Sequence, residues 1–246
     1  MKGSWGLQRG MEIIDKGKGS RNAFRGLFVT FEGIEGSGKT TQMGLAAERL
    51  LAEGYPVFQT REPGGTRIGE QIRAVLLSRE HGDMSPMAEL LLYEACRAQL
   101  IAEHVRPELE KGSLVLCDRY FDATTAYQGY GRGLDLQLVE GLNHAAGQGI
   151  EPDLTILLDC SVERGFDRVR TRCQNHWNVE GQGSADRMEA EDKAFHERIR
   201  QGYLRLAEKH GERIRVVDAS GQVKGVQARV MDCLYEALKG RRRDVL

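Results

Sequence analysis

The chain reads as an α/β protein built on a parallel five-stranded sheet flanked by helices. Three observations predict this. Five short apolar, β-branched stretches alternate with helical patterns, and such alternation means a parallel sheet covered on both faces. The first strand–helix junction carries G-x-x-x-x-G-K-[ST] at Gly33 to Thr40, the pattern of a phosphate-binding loop. Two strands end in an acid, Asp118 and Asp159. In open sheets of this kind, ligands bind beyond the carboxyl ends of the strands.

The elements follow in order. Residues 1–25 are rich in Gly, Lys and Arg and lack the continuous apolar core of a signal peptide. Glu12 and Asp15 argue against a transit peptide. The segment reads as a loosely ordered extension, with one domain over residues 26–246. Leu27–Phe31 is the first strand, and Met43, Ala47 and Leu50 mark the helix after the loop. Pro56–Thr60 is the second strand, followed by a helix marked by Ile72, Leu76 and Leu77. Met87 to Leu109 reads as one long helix. Leu114–Cys117, Leu154–Leu158 and Ile214–Val217 are the remaining strands. Phe195, Ile199, Tyr203 and Leu206 stand at helical spacing on one face.

Composition narrows the function. The chain has 246 residues, 40% hydrophobic and 29% charged, enough for a real core. Its net charge of −1 gives no global basic field for nucleic acid. No apolar run approaches the ~18 residues of a membrane span. The five cysteines form no C-x-x-C pair, which fits a reducing cytoplasm, and Cys117 and Cys160 read as small core residues at strand ends. Arg241-Arg242-Arg243 reads as a solvated helix end.

The loop's chemistry is specific. Its glycines allow successive N–H groups to turn inward as an anion nest, and the following helix points its positive end at the same spot. Gly33, Ile34, Glu35, Gly36, Ser37, Gly38, Lys39 and Thr40 therefore bind a nucleoside triphosphate, with Lys39 on the outer phosphates and Thr40 offering a hydroxyl to magnesium. Asp118, ending an apolar strand, is the partner acid for that metal. Arg119, directly after it, suits an oxygen shared by two phosphate groups. Arg61-Glu62-Pro63-Gly64-Gly65 is a tight turn that aims Arg61 or Glu62 inward, and its proline suits a cis bond. Tyr93 and Arg97 share a helix face; the spacing fits a base-binding pair and a core tyrosine beside an exposed arginine equally. Arg73 is a similar even choice. Arg164, Arg168 and Arg172 form one row on a helix leading into a polar, Gly-rich stretch, while Arg170 points elsewhere. That pattern is a closing lid, over about residues 168–190.

Taken together, Phe31 to Thr41, Thr60 to Thr66, Asp118-Arg119-Tyr120, Ala126-Tyr127-Gln128-Gly129, Pro152 to Thr155 and Asp186-Arg187-Met188-Glu189 resemble bacterial thymidylate kinase. The resemblance runs from about Leu27 to Leu238. It implies the fold of a P-loop nucleoside monophosphate kinase with a lid, transfer of the γ-phosphoryl of ATP to dTMP with Mg2+, and a homodimer. Glu35 would lie near the acceptor's 3′-hydroxyl. Arg73 and Arg119 would grip the dTMP phosphate, and Tyr93 would stack on thymine. Arg97 would reach the base edge, and Thr124 and Gln128 would face the base. Tyr127 would sit under the deoxyribose, with Glu62-Pro63 lining the site as a cis bond. Positions 34–37 hold no basic residue, which resembles enzymes that supply the catalytic arginine from the lid. Arg168, Arg172 and Arg187 are the three candidates. Two features depart from the family: Tyr93 stands where phenylalanine is usual, and the lid is longer and carries His176 and Trp177.

Phosphoryl transfer asks a protein mainly for positioning and charge neutralisation. The acceptor is an already ionised phosphate oxygen, so no catalytic histidine is expected. The alternative reading is another nucleoside monophosphate or deoxynucleoside kinase on the same scaffold. A guanine-nucleotide switch would carry an N-K-x-D segment, and the chain has none.

Overall fold

The computed structural model describes residues 26–175 and 187–239. Residues 1–25, expected to be a loose extension, the middle of the expected lid with His176, Trp177 and Asp186, and Arg241 to Arg243 lie outside the described residues, as does the side chain of Arg172.

All five expected strands form, each reaching one residue further toward the site: β1 (Leu27–Glu32), β2 (Val57–Arg61), β3 (Leu114–Asp118), β4 (Leu154–Asp159) and β5 (Ile214–Asp218). They are parallel, in the order β2-β3-β1-β4-β5. β3 therefore sits between β1 and β2, and Asp118 pairs in register with both Phe31 and Arg61. β1 is the central strand and is buried along its whole length. Leu27, Val29 and Phe31 join one core with Met43, Ala47 and Leu50, while Phe28 points the other way, to Leu100, Val105 and Tyr120. The second face continues as Thr30 and Glu32, so apolar packing gives way to buried polar groups where the strand approaches the site.

Helices α1 (Lys39–Ala52), α2 (Arg67–Leu77), α3 (Pro86–Leu100), α4 (Arg106–Glu110), α5 (Phe121–Thr124), α6 (Leu136–Gly147), α7 (Val162–Asn175), α8 (Lys193–Lys209) and α9 (Val223–Leu238) cover the sheet. One expectation is corrected. Met87 to Leu109 is not one α-helix: α3 passes into a π turn at Ile101–Val105 and resumes as α4 at Arg106. Pro107 has no N–H to donate within a regular helix, and the wider turn falls just ahead of it. A second π segment, Thr125–Gly131, extends α5 and carries Tyr127 and Gln128. Phe195, Ile199, Tyr203 and Leu206 are all buried along α8, as their spacing predicts.

Candidate functional site

The site is one continuous cavity of about 700 Å³ beyond the carboxyl ends of β1, β2 and β3. One half is lined by Glu35 to Gln42 of the phosphate loop. The other is lined by Glu62, Pro63, Arg73, Tyr93, Arg97, Thr124, Tyr127 and Gln128. Asp118, Arg119 and Arg168 line it as well.

The loop takes its shape from three glycines with positive φ, Gly33 (136°), Gly36 (71°) and Gly38 (99°). Gly38 is the N-cap of α1 and brings no side chain, so no side-chain cap competes for the first N–H groups of the helix. Lys39 is folded over the loop, its Nζ donating to Gly33 O (3.0 Å) and Ile34 O (2.9 Å). Burial, with Arg119 adding like charge, pulls the Lys39 amine down to about 8. The Thr40 hydroxyl is in short hydrogen-bond contact with Asp118 Oδ2. Two hard oxygen donors facing the phosphate nest fit Mg2+, an ion usually held by one or two protein oxygens together with phosphates and water. Among the described residues no group of three His, Cys, Asp or Glu forms a self-sufficient metal cage.

Arg119 has a left-handed backbone (φ 71°), and its guanidinium lies between the two halves of the cavity. Nη1 donates to Gly33 O (2.8 Å) and Nη2 to Glu35 Oε1 (2.8 Å). The Tyr127 hydroxyl donates to the same Glu35 oxygen at 2.6 Å, and Arg119 stacks over the Tyr127 ring. Burial pushes Glu35 up, but the charge of Arg119, then the contact with His196 and the charge of Lys39, outweigh it and hold the carboxyl well below its ordinary range.

In the other half, Glu62-Pro63 is a cis peptide, as its sequence suggested. Arg73 Nη1 donates to Pro63 O (2.8 Å). Arg97 is 1% exposed and Tyr93 is half-buried, the reverse of a core tyrosine beside an exposed arginine. Arg97 binds Glu62 Oε2 (2.7 Å), Glu94 Oε2 (2.8 Å), Asn143 Oδ1 (2.8 Å) and Thr124 Oγ1 (2.8 Å). Two carboxylates share this one guanidinium, and burial pushes Glu62 up to about 7. Arg61 stands at the cavity rim in an exposed pair with Glu70.

The lid arginines fall in different places. Arg168 donates to Gly36 O (3.2 Å), Ser37 O (3.4 Å) and Ala219 O (2.8 Å), on the rim of the phosphate loop. Arg164 reaches Ser220 O, and Arg170 is an exposed partner of Asp167. Arg187 is buried behind the cavity wall, with Nε on Leu76 O (2.9 Å) and Nη1 on Glu89 Oε2 (2.6 Å).

Sequence reasoning passed over three groups here. Glu32 accepts from Tyr120 N (2.7 Å) and from the Tyr203 hydroxyl (2.8 Å) beneath Arg119. Glu89 is the buried centre of a polar cluster on α3. His196 is fully buried, its Nδ1 3.2 Å from Glu35 Oε2, with its ring packed edge-on against Phe166 and Phe195. The one available signal was the position of His196 next to Phe195 on the core-facing row of α8.

Comparison with known proteins identifies the family. The family model for thymidylate kinase matches residues 31–230. The chain belongs to the thymidylate kinase family. It is 52% identical to a thymidylate kinase of Syntrophotalea carbinolica over 82% of this chain and 92% of that protein. It is 45% identical to one of Exiguobacterium sp. over 87% of this chain and 96% of that protein. A solved thymidylate kinase structure from Ehrlichia chaffeensis is 32% identical, with a TM-score of 0.68 over 85% of this chain and 98% of that one. Thymidylate kinases are phosphotransferases with ATP as donor, and the five-stranded parallel sheet with its phosphate loop is the fold of that family.

Proposed function

We propose that this chain transfers the γ-phosphoryl of ATP to dTMP, giving ADP and dTDP, with both nucleotides lying end to end in the one cavity. The observation that carries the reading is the continuity of that cavity: the phosphate nest and the Tyr93–Gln128 pocket open into each other, with Arg119 between them. Family membership supports the donor and the acceptor.

The residue roles follow from charge and shape. The loop N–H groups and Lys39 take the donor phosphates. Arg119 spans the junction, where both donor and acceptor oxygens need positive charge. Arg73 takes the acceptor phosphate from the other side. Tyr93 gives the pyrimidine a face to stack on, and Arg97, Thr124 and Gln128 meet its edge. The Glu35–Tyr127 pair, already hydrogen-bonded, forms the corner for the sugar. Arg168 and Arg172 supply the lid's charge, whereas Arg187, the third candidate, is held on Leu76 O and Glu89 behind the cavity wall and braces that wall instead. Thr40 and Asp118 would hold Mg2+, which when bound neutralises phosphate charge. No general base is required, since the attacking oxygen is already ionised. Free thiols at Cys96, Cys117, Cys160 and Cys233 suit a cytoplasmic location. The assembly we propose is a homodimer.

An assay of ADP release against dTMP, dUMP, CMP, AMP and thymidine tests the reading. dTMP is expected to be the best acceptor, and Lys39→Ala to lower kcat by roughly 100-fold or more. Preference for AMP, CMP or free thymidine, or near-normal turnover by Lys39→Ala, overturns it.

A further inference from the structure

Gln128 and Glu89 form the contact that bears on base choice. Glu89 lies one turn before Tyr93 on α3, is 1% exposed, and stands behind the cavity lining. Its Oε1 accepts from Gln128 Nε2 (2.8 Å) and Arg132 Nε (3.2 Å), and its Oε2 from Arg132 Nη2 (3.2 Å). Arg187 Nη1 lies 2.6 Å from the same Oε2, and Arg132 Nη1 is paired with Glu191 (2.6 Å). Two guanidiniums thus face two carboxylates, and the cluster is neutral overall.

The chemistry of the pair fixes the orientation of the amide. A carboxylate clamped between two guanidiniums is ionised and only accepts hydrogen bonds, so Gln128 must turn its NH2 end toward Glu89. A side-chain amide has its acceptor on the opposite arm. The end that Gln128 has left to show the cavity is its carbonyl oxygen, beside Tyr93 and Thr124. Thymine and uracil carry a ring N–H donor at N3, whereas cytosine has a bare acceptor nitrogen there. A fixed carbonyl at that edge favours the first pair and repels the second.

We propose that Glu89 is a positioning residue for base specificity: it touches no substrate, and it commits Gln128 to face the acceptor pocket carbonyl-first, so that the pocket selects a pyrimidine with a ring N–H. The proposal rests on the reading above, that the pyrimidine lies beside Gln128.

Steady-state kinetics of dTMP phosphorylation, with dCMP as a competitive inhibitor, tests it in wild type and Glu89→Gln. A neutral amide at position 89 can donate as well as accept, which frees Gln128 to turn over. In Glu89→Gln the KM for dTMP is expected to rise and the ratio of the dCMP inhibition constant to that KM to fall roughly tenfold, with kcat held within about threefold. The double variant Glu89→Gln/Arg132→Gln removes one charge of each sign, guards against misfolding, and is expected to lose the same ratio. Parallel weakening of dTMP and dCMP, with the ratio unchanged in the variants while wild type turns over dTMP, overturns this proposal alone. A wild-type chain inactive on dTMP overturns the functional reading and this proposal with it.

Discussion

Glu32 is a carboxyl group at the sheet end of the site, walled off from solvent and set below the Arg119 guanidinium. Burial, with the nearby Asp122 charge adding to it, pushes its pKa from 4.5 up to about 8. The folded chain therefore keeps a proton there that the unfolded chain releases near 4.5. Between those values the folded state binds more protons, so stability falls as pH rises and has lost this contribution once pH passes about 8. Glu62 acts with the same sign up to about 7. Glu35 acts with the opposite sign: its folded value is depressed, so its contribution is lost in acid. Glu32→Gln keeps an acceptor for Tyr120 N–H and removes the titration. Urea unfolding across the window from 4.5 to 8 is expected to show a shallower loss of stability in the variant than in wild type, by on the order of a few kcal/mol at the alkaline end. Parallel curves would mean that Glu32 is ionised throughout. His196 makes a related point at this scale: it is a polar side chain at full burial, set against the Glu35 carboxylate rather than facing solvent.

The phosphate loop and α7 meet backbone to backbone. A Cβ added to Gly165 would stand 2.5 Å from Glu35 O, and one added to Gly36 would stand 2.2 Å from Gly165 O. Arg168, one turn along α7, ties the same junction by donating to Gly36 O and Ser37 O. α7 is thus seated directly on the phosphate loop that the proposed function gives to ATP. Gly165→Ala must push the two apart, at a cost of about 1–3 kcal/mol. It is expected to lower the melting temperature and to raise KM for ATP roughly tenfold, more than KM for dTMP. Equal effects on both substrates would remove the special coupling of α7 to the donor side. This junction also shows what sequence could and could not say. The strands were legible because β-branched runs recur between helical patterns, and the loop because its glycines and lysine stand at fixed spacing. The row of arginines on α7 was legible too, but its target was not: spacing places Arg168 on a face and does not say that backbone carbonyls occupy that face. Gly165 carried a faint signal, since an isolated glycine in a helix often marks close backbone approach. The π segments left no signal, because widening by one residue leaves the apolar pattern nearly intact. Glu89 and Gln128 meet across 39 positions, a pairing that only the folded chain creates.

For the molecule as a whole, the strand order decides where everything chemical gathers. With β1 between β3 and β4, the loop after β1 and Asp118 at the end of β3 open on the same edge, and α2 and α3 close the acceptor side beyond β2. Those closing helices are amphipathic in an unequal way. On α3, Leu90, Glu94 and Arg97 turn inward, while Met87 and Leu91 are 39% and 49% exposed. On α2, Ile68 and Val75 are likewise exposed, and so is Leu138 on α6, which packs beside α3. Large apolar side chains on three neighbouring helices are the kind of surface that a second copy covers. In the homodimer proposed above, this is the surface the second copy would cover, and it would brace the proposed acceptor pocket from outside through α3, since Leu91 stands two residues from Tyr93 on the same helix. Sedimentation equilibrium is expected to give twice the chain mass of 27.5 kDa. Leu91→Glu places a charge in that surface and is expected to shift the chain toward monomer by tenfold or more in dissociation constant, roughly the 1.4 kcal/mol or more that desolvating one carboxylate costs. The loosened α3 should then show as a higher KM for dTMP with KM for ATP unchanged. A wild-type chain sedimenting as a monomer at micromolar concentration, or a Leu91→Glu chain that still sediments as the dimer, would assign these side chains to the surface of a single copy.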